Sequence, residues 1–217
     1  MILVPVKNLA LAKQRLAPLL TAAERQALAT AMLEDVLIAL AASWAQPRVA
    51  IVTGDEDAIG LAKQFSFEVI EDSENLGESE TIAMATRVSE ERGEREVLVL
   101  PADIPLVTPA EIQQIFFVAP PRGSVIVPCW EERGSNAVLR RPASLFPLQF
   151  GNDSFQPHLR AAEVAGPCVV LHLPGIGLDA DRPGDLARLL SAPGNTKAQQ
   201  LARTWNISER LAAAIPA

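Results

Sequence analysis

The chain has 217 residues, of which 49% are apolar, and it carries a formal net charge of −7. This length suits one α/β domain with its own hydrophobic core. The negative charge argues against a general nucleic-acid binder, because affinity for a phosphate backbone depends on clustered lysine and arginine. No apolar run approaches the roughly 18 residues of a membrane span, and the first residues lack the pattern of a secretory signal. We therefore expect a cytoplasmic protein that binds neither membranes nor nucleic acid.

Cysteine and histidine are too sparse to indicate a zinc site or a disulfide framework. Cys129 and Cys168 lie far apart, with no His or Cys at ligand spacing. We expect both to be small buried hydrophobic residues. His158 and His172 also lack ligand spacing, and a core or capping role is expected for each.

Short β-branched runs alternate with helical patterns along the chain, which is typical of a mostly parallel sheet covered by helices. The predicted strands are residues 2–6, 49–53, 67–70, 97–100, 124–128, 136–139 and 168–173. The predicted helices follow Thr21 and Thr108 and also span residues 58–65, 81–92, 157–166 and 183–190. Thr21 with Glu24, and Thr108 with Glu111, have the spacing of a capping box.

The pattern indicates one domain, residues 1–192, followed by a C-terminal tail, residues 193–217. A weakly amphipathic stretch at 199–211 lies in this tail. We expect it to pack on the domain or on a second subunit, so a homodimer is possible.

The segment after the first strand concentrates positive charge in an otherwise acidic protein. In open α/β sheets, ligands bind at the carboxyl ends of the strands, and Lys7, Lys13 and Arg15 follow such an end. Lysine and arginine there would suit a triphosphate. The alternative is a solvated basic loop.

Three aspartates are candidate metal ligands. Asp103 follows the strand at 97–100 and is enclosed by apolar residues and prolines, which is costly for a carboxylate unless it is paired or binds a metal. Asp179 and Asp181 flank one small residue, so both carboxylates lie on one face of an extended stretch. They favour a divalent cation, although Asp181 would also suit the N-cap of the next helix.

Two glycine-containing segments, residues 134–137 and 150–158, offer N–H groups and hydroxyls for a phosphate or carboxylate. Ordinary loop turns are the alternative. The sequence has no P-loop, no dinucleotide-binding glycine pattern, no nucleophile elbow and no HExxH pattern. These absences favour metal-assisted phosphoryl chemistry without a P-loop.

Five segments in chain order resemble the 2-phospho-L-lactate guanylyltransferase family: residues 5–16, 100–106, 134–137, 150–159 and 178–181. That family makes the guanylylated precursor used in coenzyme F420 biosynthesis. The resemblance implies a three-layer α/β/α nucleotidyltransferase fold, which molybdenum-cofactor guanylyltransferases share. It also implies GTP and Mg²⁺ as reactants, with 2-phospho-L-lactate, phosphoenolpyruvate or 3-phosphoglycerate as acceptor.

The resemblance also implies roles for individual residues. Lys13 and Arg15 would hold the triphosphate and act with Asp103 as catalytic residues. Asp103, Asp179 and Asp181 would bind the metal. The implied substrate-binding residues are Lys7, Gly77, Ser135, Gly151 and Ser154.

Two positions depart from the family pattern. Where the family often has Gly followed by Asn near a helix start, this chain has Leu76, Gly77 and Glu78. Glu78 or Glu80 would then be available to accept from guanine N–H groups. Arg182 replaces a usual Thr beside the paired acids, either to help bind an acidic acceptor or to offset their charge. Competing interpretations are a related molybdopterin or sugar-phosphate nucleotidyltransferase, and a non-catalytic nucleotide-binding module.

Overall fold

The computed structural model describes residues 1–43, 48–74, 77–151 and 153–214. The strands of these residues are β1 (Ile2–Pro5), β2 (Val49–Thr53), β3 (Glu68–Glu71), β4 (Val97–Val99), β5 (Gly123–Pro128), β6 (Ser135–Arg141) and β7 (Cys168–Val170). The helices are α1 (Ala22–Ala41), α2 (Glu56–Gln64), α3 (Glu78–Glu91), α4 (Pro109–Val118), α5 (Phe155–Ala165), α6 (Pro183–Ser191), α7 (Lys197–Thr204) and α8 (Ile207–Ala214).

The strands form one sheet in the order β3-β2-β1-β4-β6-β5-β7. β1 pairs in parallel with β2 and β4, and β2 pairs in parallel with β3. β6 is antiparallel to both β4 and β5. The start of β6 therefore lies at the same edge as the carboxyl ends of β1, β4 and β5, which brings Ser135 and Asn136 to the crevice side of the sheet.

Helices cover both faces of the sheet, so the expected three-layer α/β/α fold is confirmed. Along β1, side chains alternate between the two faces. Ile2 and Val4 belong to a core cluster with residues of α1, α2 and α4, while Leu3 packs in a second cluster with residues of α3 and α5.

Helix starts follow the capping chemistry that the sequence indicates. The Thr21 side chain accepts from the Glu24 N–H, and Glu24 accepts from the Thr21 N–H in return. Thr108 and Glu111 form the same reciprocal pair at α4, with Pro109 in its first turn. Both predicted capping boxes are confirmed.

The remaining differences from prediction are local. α3 begins at Glu78, three residues earlier than predicted, because Gly77 is its N-cap. β7 ends at Val170 rather than at residue 173. Cys129 is buried as expected, but Cys168 is only partly buried. His172 is exposed, so its expected core role is wrong.

The C-terminal tail consists of α7 and α8, with Asn206 in a left-handed conformation between them. The buried Asp35 of α1 accepts from the N–H groups of Lys197 at 2.8 Å and Ala198 at 2.9 Å, which caps the start of α7. Ala198 and Ala202 of α7 join a third hydrophobic cluster with residues of α1 and α6. Of the helices described, none is both long and apolar enough to cross a membrane.

Candidate active site

A cavity of about 830 Å³ opens at the carboxyl ends of the central strands. Its size is in the range of small-molecule sites. Most of the predicted site residues line it: Lys7, Lys13, Arg15, Asp103, Ser135, Gly151, Ser154, Asp179 and Asp181. Gly77 is not part of the lining, although its neighbour Glu78 is. Leu76 and Asn152, from two of the predicted segments, lie outside the described residues.

The loop after β1 carries the cations and is tied to the start of α2. Two single-turn 3-10 helices, Leu9–Leu11 and Gln14–Leu16, lie on either side of Lys13. The Asp55 carboxylate accepts from the Leu9 N–H at 2.9 Å and from the Ala58 N–H at 3.0 Å, so it ties this loop to the start of α2. Lys13 itself has a φ of 57°, a left-handed conformation that is uncommon for a residue with a side chain.

Lys13 lies between two of the aspartates. Its Nζ is 2.6 Å from Asp103 Oδ2 and 2.7 Å from Asp181 Oδ1, and its side chain is 5% exposed. Arg15 Nη1 is 3.4 Å from Asp181 Oδ2. Burial would lower the pKa of Lys13, but the charges of Asp103 and Asp181 outweigh it and raise this pKa above its usual value. Lys13 is therefore fully charged at neutral pH.

The segments that carry the aspartates are tied to each other and to α4. The Ala180 N–H donates to the Asp103 carbonyl at 3.2 Å. The Gly175 N–H donates to Glu111 Oε1 at 2.7 Å. A side chain at Gly175 would collide with the Leu106 carbonyl, so this close approach requires glycine. The acidic cluster is thus built on a rigid base.

Asp179 and Asp181 have different surroundings. Asn136 Nδ2 donates to Asp179 Oδ1 at 3.1 Å and to the Ile176 carbonyl at 2.8 Å. Burial and the nearby Asp103 charge raise the pKa of Asp179, although Asn136 partly offsets this. Burial would also raise the pKa of Asp181, but Lys13, Arg15 and Arg182 together hold it below its usual value.

The structure bears on two alternatives that the sequence leaves open. The start of α6 is capped by Asp185, whose Oδ2 accepts from the Arg182 N–H at 2.8 Å and from the Asp181 N–H at 3.2 Å. The Asp181 carboxylate therefore faces the cations and does not cap the helix. The charge of Arg182 helps to offset Asp181, as one of its two proposed roles requires.

Within the described ranges, no group of three or more His, Cys, Asp or Glu side chains is arranged to hold a metal ion. The Lys13 ammonium instead occupies a cation position between Asp103 and Asp181. Hard carboxylate oxygens are nevertheless the donors that Mg²⁺ prefers.

Two serines, Ser135 and Ser154, form another part of the lining, which we call the hydroxyl end. The Ser135 N–H donates to Ser154 Oγ at 3.2 Å, which joins β6 to the start of α5. Ser135 Oγ lies 3.0 Å from His158 Nδ1. Gly151, three residues before Ser154, has a φ of 147°, which side-chain-bearing residues rarely adopt.

Sequence reasoning missed residues at the rim and behind the site. The Arg188 guanidinium lies 3.4 Å from the centre of the Trp130 ring, and Trp130 lines the cavity. Arg133 pairs with Asp153 across the same rim, with Nε 2.6 Å from Oδ1. No local pattern marks these contacts, because each joins segments that are far apart in the chain.

The comparisons with known proteins agree on a family. A family profile described as "Guanylyl transferase CofC like" matches residues 1–213. The chain belongs to this family. It is 35% identical over 204 residues to a phosphoenolpyruvate guanylyltransferase from Roseiflexus castenholzii, covering 94% of this chain and 93% of the relative.

Other relatives carry different acceptors in their names. A 3-phospho-D-glycerate guanylyltransferase from Colwellia psychrerythraea is 31% identical, with 94% and 98% of the two chains covered. A 2-phospho-L-lactate guanylyltransferase from Methanothermobacter thermautotrophicus is 29% identical, with 93% and 88% covered.

The fold is also shared with a solved structure. A crystal structure from Desulfovibrio desulfuricans G20, described as a nucleotide-diphospho-sugar transferase, matches with a TM-score of 0.79 and 19% identity. The match covers 98% of this chain and 96% of that one.

Proposed function

We propose that this chain transfers GMP from GTP to a small phosphorylated carboxylic acid and releases pyrophosphate, with Mg²⁺ as cofactor. The observation that carries the proposal is that one cavity holds both a charged cluster and two serine hydroxyls. Lys13, Arg15 and three aspartates form the first group, the charged end, and Ser135 and Ser154 form the second, the hydroxyl end. We assign one anionic substrate to each group.

The charged end suits the nucleotide. Lysine and arginine neutralise and grip phosphate oxygens, and Lys7, Lys13 and Arg15 lie along the loop after β1. The same loop contributes Leu9 and Leu11 to the cavity wall, and these offer apolar contact to a base. Glu78, at the start of α3, lines the cavity and would accept from guanine N–H groups.

The hydroxyl end suits the acceptor. Phosphoenolpyruvate, 3-phosphoglycerate and 2-phospho-L-lactate each carry a phosphate and a carboxylate on a three-carbon frame. The two serine hydroxyls are donors without charge, which supports binding of one anionic group while the other faces the nucleotide.

The carboxylate oxygens at the charged end are donors that suit a divalent cation. Asp103, Asp179 and Asp181 would hold it, because a positive charge there would offset both the burial and the Asp103 charge that raise the pKa of Asp179. The Lys13 ammonium between Asp103 and Asp181 supports a preference of this position for a cation. When bound, Mg²⁺ would supply charge neutralisation for the triphosphate.

Positioning by the chain's own residues accounts for most of the proposed catalysis. The acceptor phosphate is already an anionic nucleophile at neutral pH, so no protein base is required. Ser135 and Ser154 would orient it for in-line attack on the α-phosphorus, and Lys13 and Arg15 would stabilise the departing pyrophosphate.

A role in coenzyme F420 biosynthesis, a cytoplasmic location and a homodimer remain predictions from the sequence. They concern the setting of the reaction and not its chemistry.

The test is pyrophosphate release with Mg²⁺ across GTP, CTP, ATP and UTP, each paired with the three candidate acceptors. Release with GTP and one acceptor is expected. Equal release with CTP would contradict the choice of GTP, and a folded protein that is inactive in every pairing would favour the non-catalytic binding module.

A further inference from the structure

The hydrogen bonds of His158 determine which of its ring nitrogens carries the proton. The Gln149 N–H donates to Nε2 at 2.9 Å. A backbone N–H is always a donor, so Nε2 is unprotonated and the proton of the neutral ring lies on Nδ1. Nδ1 is 3.0 Å from Ser135 Oγ, so it donates to this oxygen.

The surroundings of His158 keep the ring neutral. His158 is 1% exposed, and Phe150 makes an edge contact with it at 5.1 Å between ring centres. Burial, with a smaller effect from the Arg140 charge, lowers the pKa of His158 to about 4. The ring therefore keeps one tautomer throughout the neutral pH range.

This tautomer directs the two serine hydroxyls. Ser135 Oγ accepts from His158, so its own proton cannot point at the ring and is available to the cavity. Ser154 Oγ accepts from the Ser135 N–H, so its proton is also available as a donor. Two neutral donors are then presented to one place in the cavity, which suits an anionic oxygen.

We propose that His158 is a positioning residue that fixes the Ser135 and Ser154 hydroxyls as donors to the anionic group of the acceptor. The inference rests on the proposed function and adds the residue that prepares its acceptor end. His158 acts through Ser135 and does not touch the reacting atoms.

The second ring nitrogen supports the same end of the cavity. By accepting from the Gln149 N–H, His158 holds the segment that leads to Gly151. The next N–H, of Phe150, donates to Ser79 Oγ at 2.9 Å, so the segment is also tied to α3. The two ring nitrogens of His158 therefore have different functions. Nε2 anchors the loop, and Nδ1 orients the Ser135 hydroxyl.

Two substitutions distinguish these functions. His158→Gln can retain an acceptor near Nε2 but has no donor near Nδ1, whereas His158→Asn retains a donor near Nδ1. We expect His158→Gln to raise the acceptor KM about 10-fold with the GTP KM within about twofold, because the Ser135 hydroxyl is no longer fixed as a donor to the charged group of the acceptor. His158→Asn should raise the acceptor KM less than about threefold.

A double substitution tests the path through Ser135. In the Ser135→Ala background, His158→Gln should have no further effect on the acceptor KM, because the two residues act as one unit. Thermal unfolding of each variant separates a folding defect from a kinetic one. The role of His158 would be overturned by any of three results. His158→Gln and His158→Asn could raise the acceptor KM equally, or a variant could raise both KM values in parallel. The effects of His158→Gln and Ser135→Ala could also be independent.

A nitrogen-15 NMR measurement on the substrate-free protein tests the arrangement without enzymatic activity. The expected spectrum at pH 7 shows His158 neutral with the proton on Nδ1. A proton on Nε2, or a charged ring, would overturn the inference even in an active enzyme. If the wild-type protein were inactive with every acceptor, the proposed function would fail together with the acceptor role, while the NMR result would still decide the tautomer.

Discussion

The two ends of the cavity prepare for anions in different ways. At the charged end, Lys13 is held by Asp103 and Asp181, so full charges already satisfy one another and must rearrange around a substrate. At the hydroxyl end, a neutral histidine holds two neutral hydroxyls in place before any substrate arrives. We infer that the charged groups at one end mainly stabilise the transition state, whereas the fixed hydroxyls at the other end mainly select the substrate.

The largest expected effect is on turnover at the charged end. Asp103→Asn keeps the shape of the side chain but removes a charge that contacts Lys13. We expect a loss of turnover of at least about 100-fold, typical of losing a preorganised electrostatic group. Asp57→Asn, an exposed position on α2, is the matched control and should be unaffected. Near-normal pyrophosphate release by Asp103→Asn would remove Asp103 from the site.

The charged end was visible in the sequence, whereas the hydroxyl end was visible only in part. Lys13, Asp103 and Asp181 follow predicted strands and are unusual in their local composition, so their convergence could be expected from the parallel sheet. The strand prediction at 49–53 coincides with β2. Local charge and the predicted parallel sheet selected these three residues, with a solvated loop and a helix N-cap as the alternatives.

His158 shows why the other end was harder to predict. Its partners are a backbone N–H nine residues away and a serine 23 residues away, and neither contact leaves a pattern in the chain. The position of Ser135 also depends on β6 running antiparallel between β4 and β5, which no apolar run specifies. For His172, the same reasoning gave the wrong prediction, because a lone histidine has no periodic signal.

The hydroxyl end should lose stability in acid. His158 has a pKa of about 4 in the folded protein and roughly 6.5 when unfolded. Between these values the unfolded state binds more protons, so the free energy of unfolding decreases as the pH falls. From pH 7 to pH 5, the contribution of His158 should decrease by about 2 kcal/mol.

Denaturant unfolding of the wild type and of His158→Gln at several pH values measures this contribution. The variant removes the titrating ring, so the difference between the two curves isolates it from the carboxylates. Identical pH dependence in both proteins would contradict a neutral His158 in the fold.

A smaller effect concerns competition between the Lys13 ammonium and a divalent cation at the charged end. Lys13→Met removes the internal cation and leaves the aspartates available, so we expect Mn²⁺, used as a probe for Mg²⁺, to bind on the order of 10-fold more tightly without nucleotide. Calorimetry or Mn²⁺ electron paramagnetic resonance measures this affinity. Lys197→Met, which removes an ion pair on α7, is the control. Unchanged or weaker Mn²⁺ binding by Lys13→Met would show that Lys13 and the metal do not share a position.

The division of the cavity itself is tested most directly by measuring both KM values in two variants, Arg15→Gln and Ser154→Ala. We predict that Arg15→Gln raises the GTP KM at least about fivefold with little change for the acceptor, and that Ser154→Ala does the reverse. If each variant raised both KM values equally, the two ends would not bind separate substrates, and the account would be contradicted.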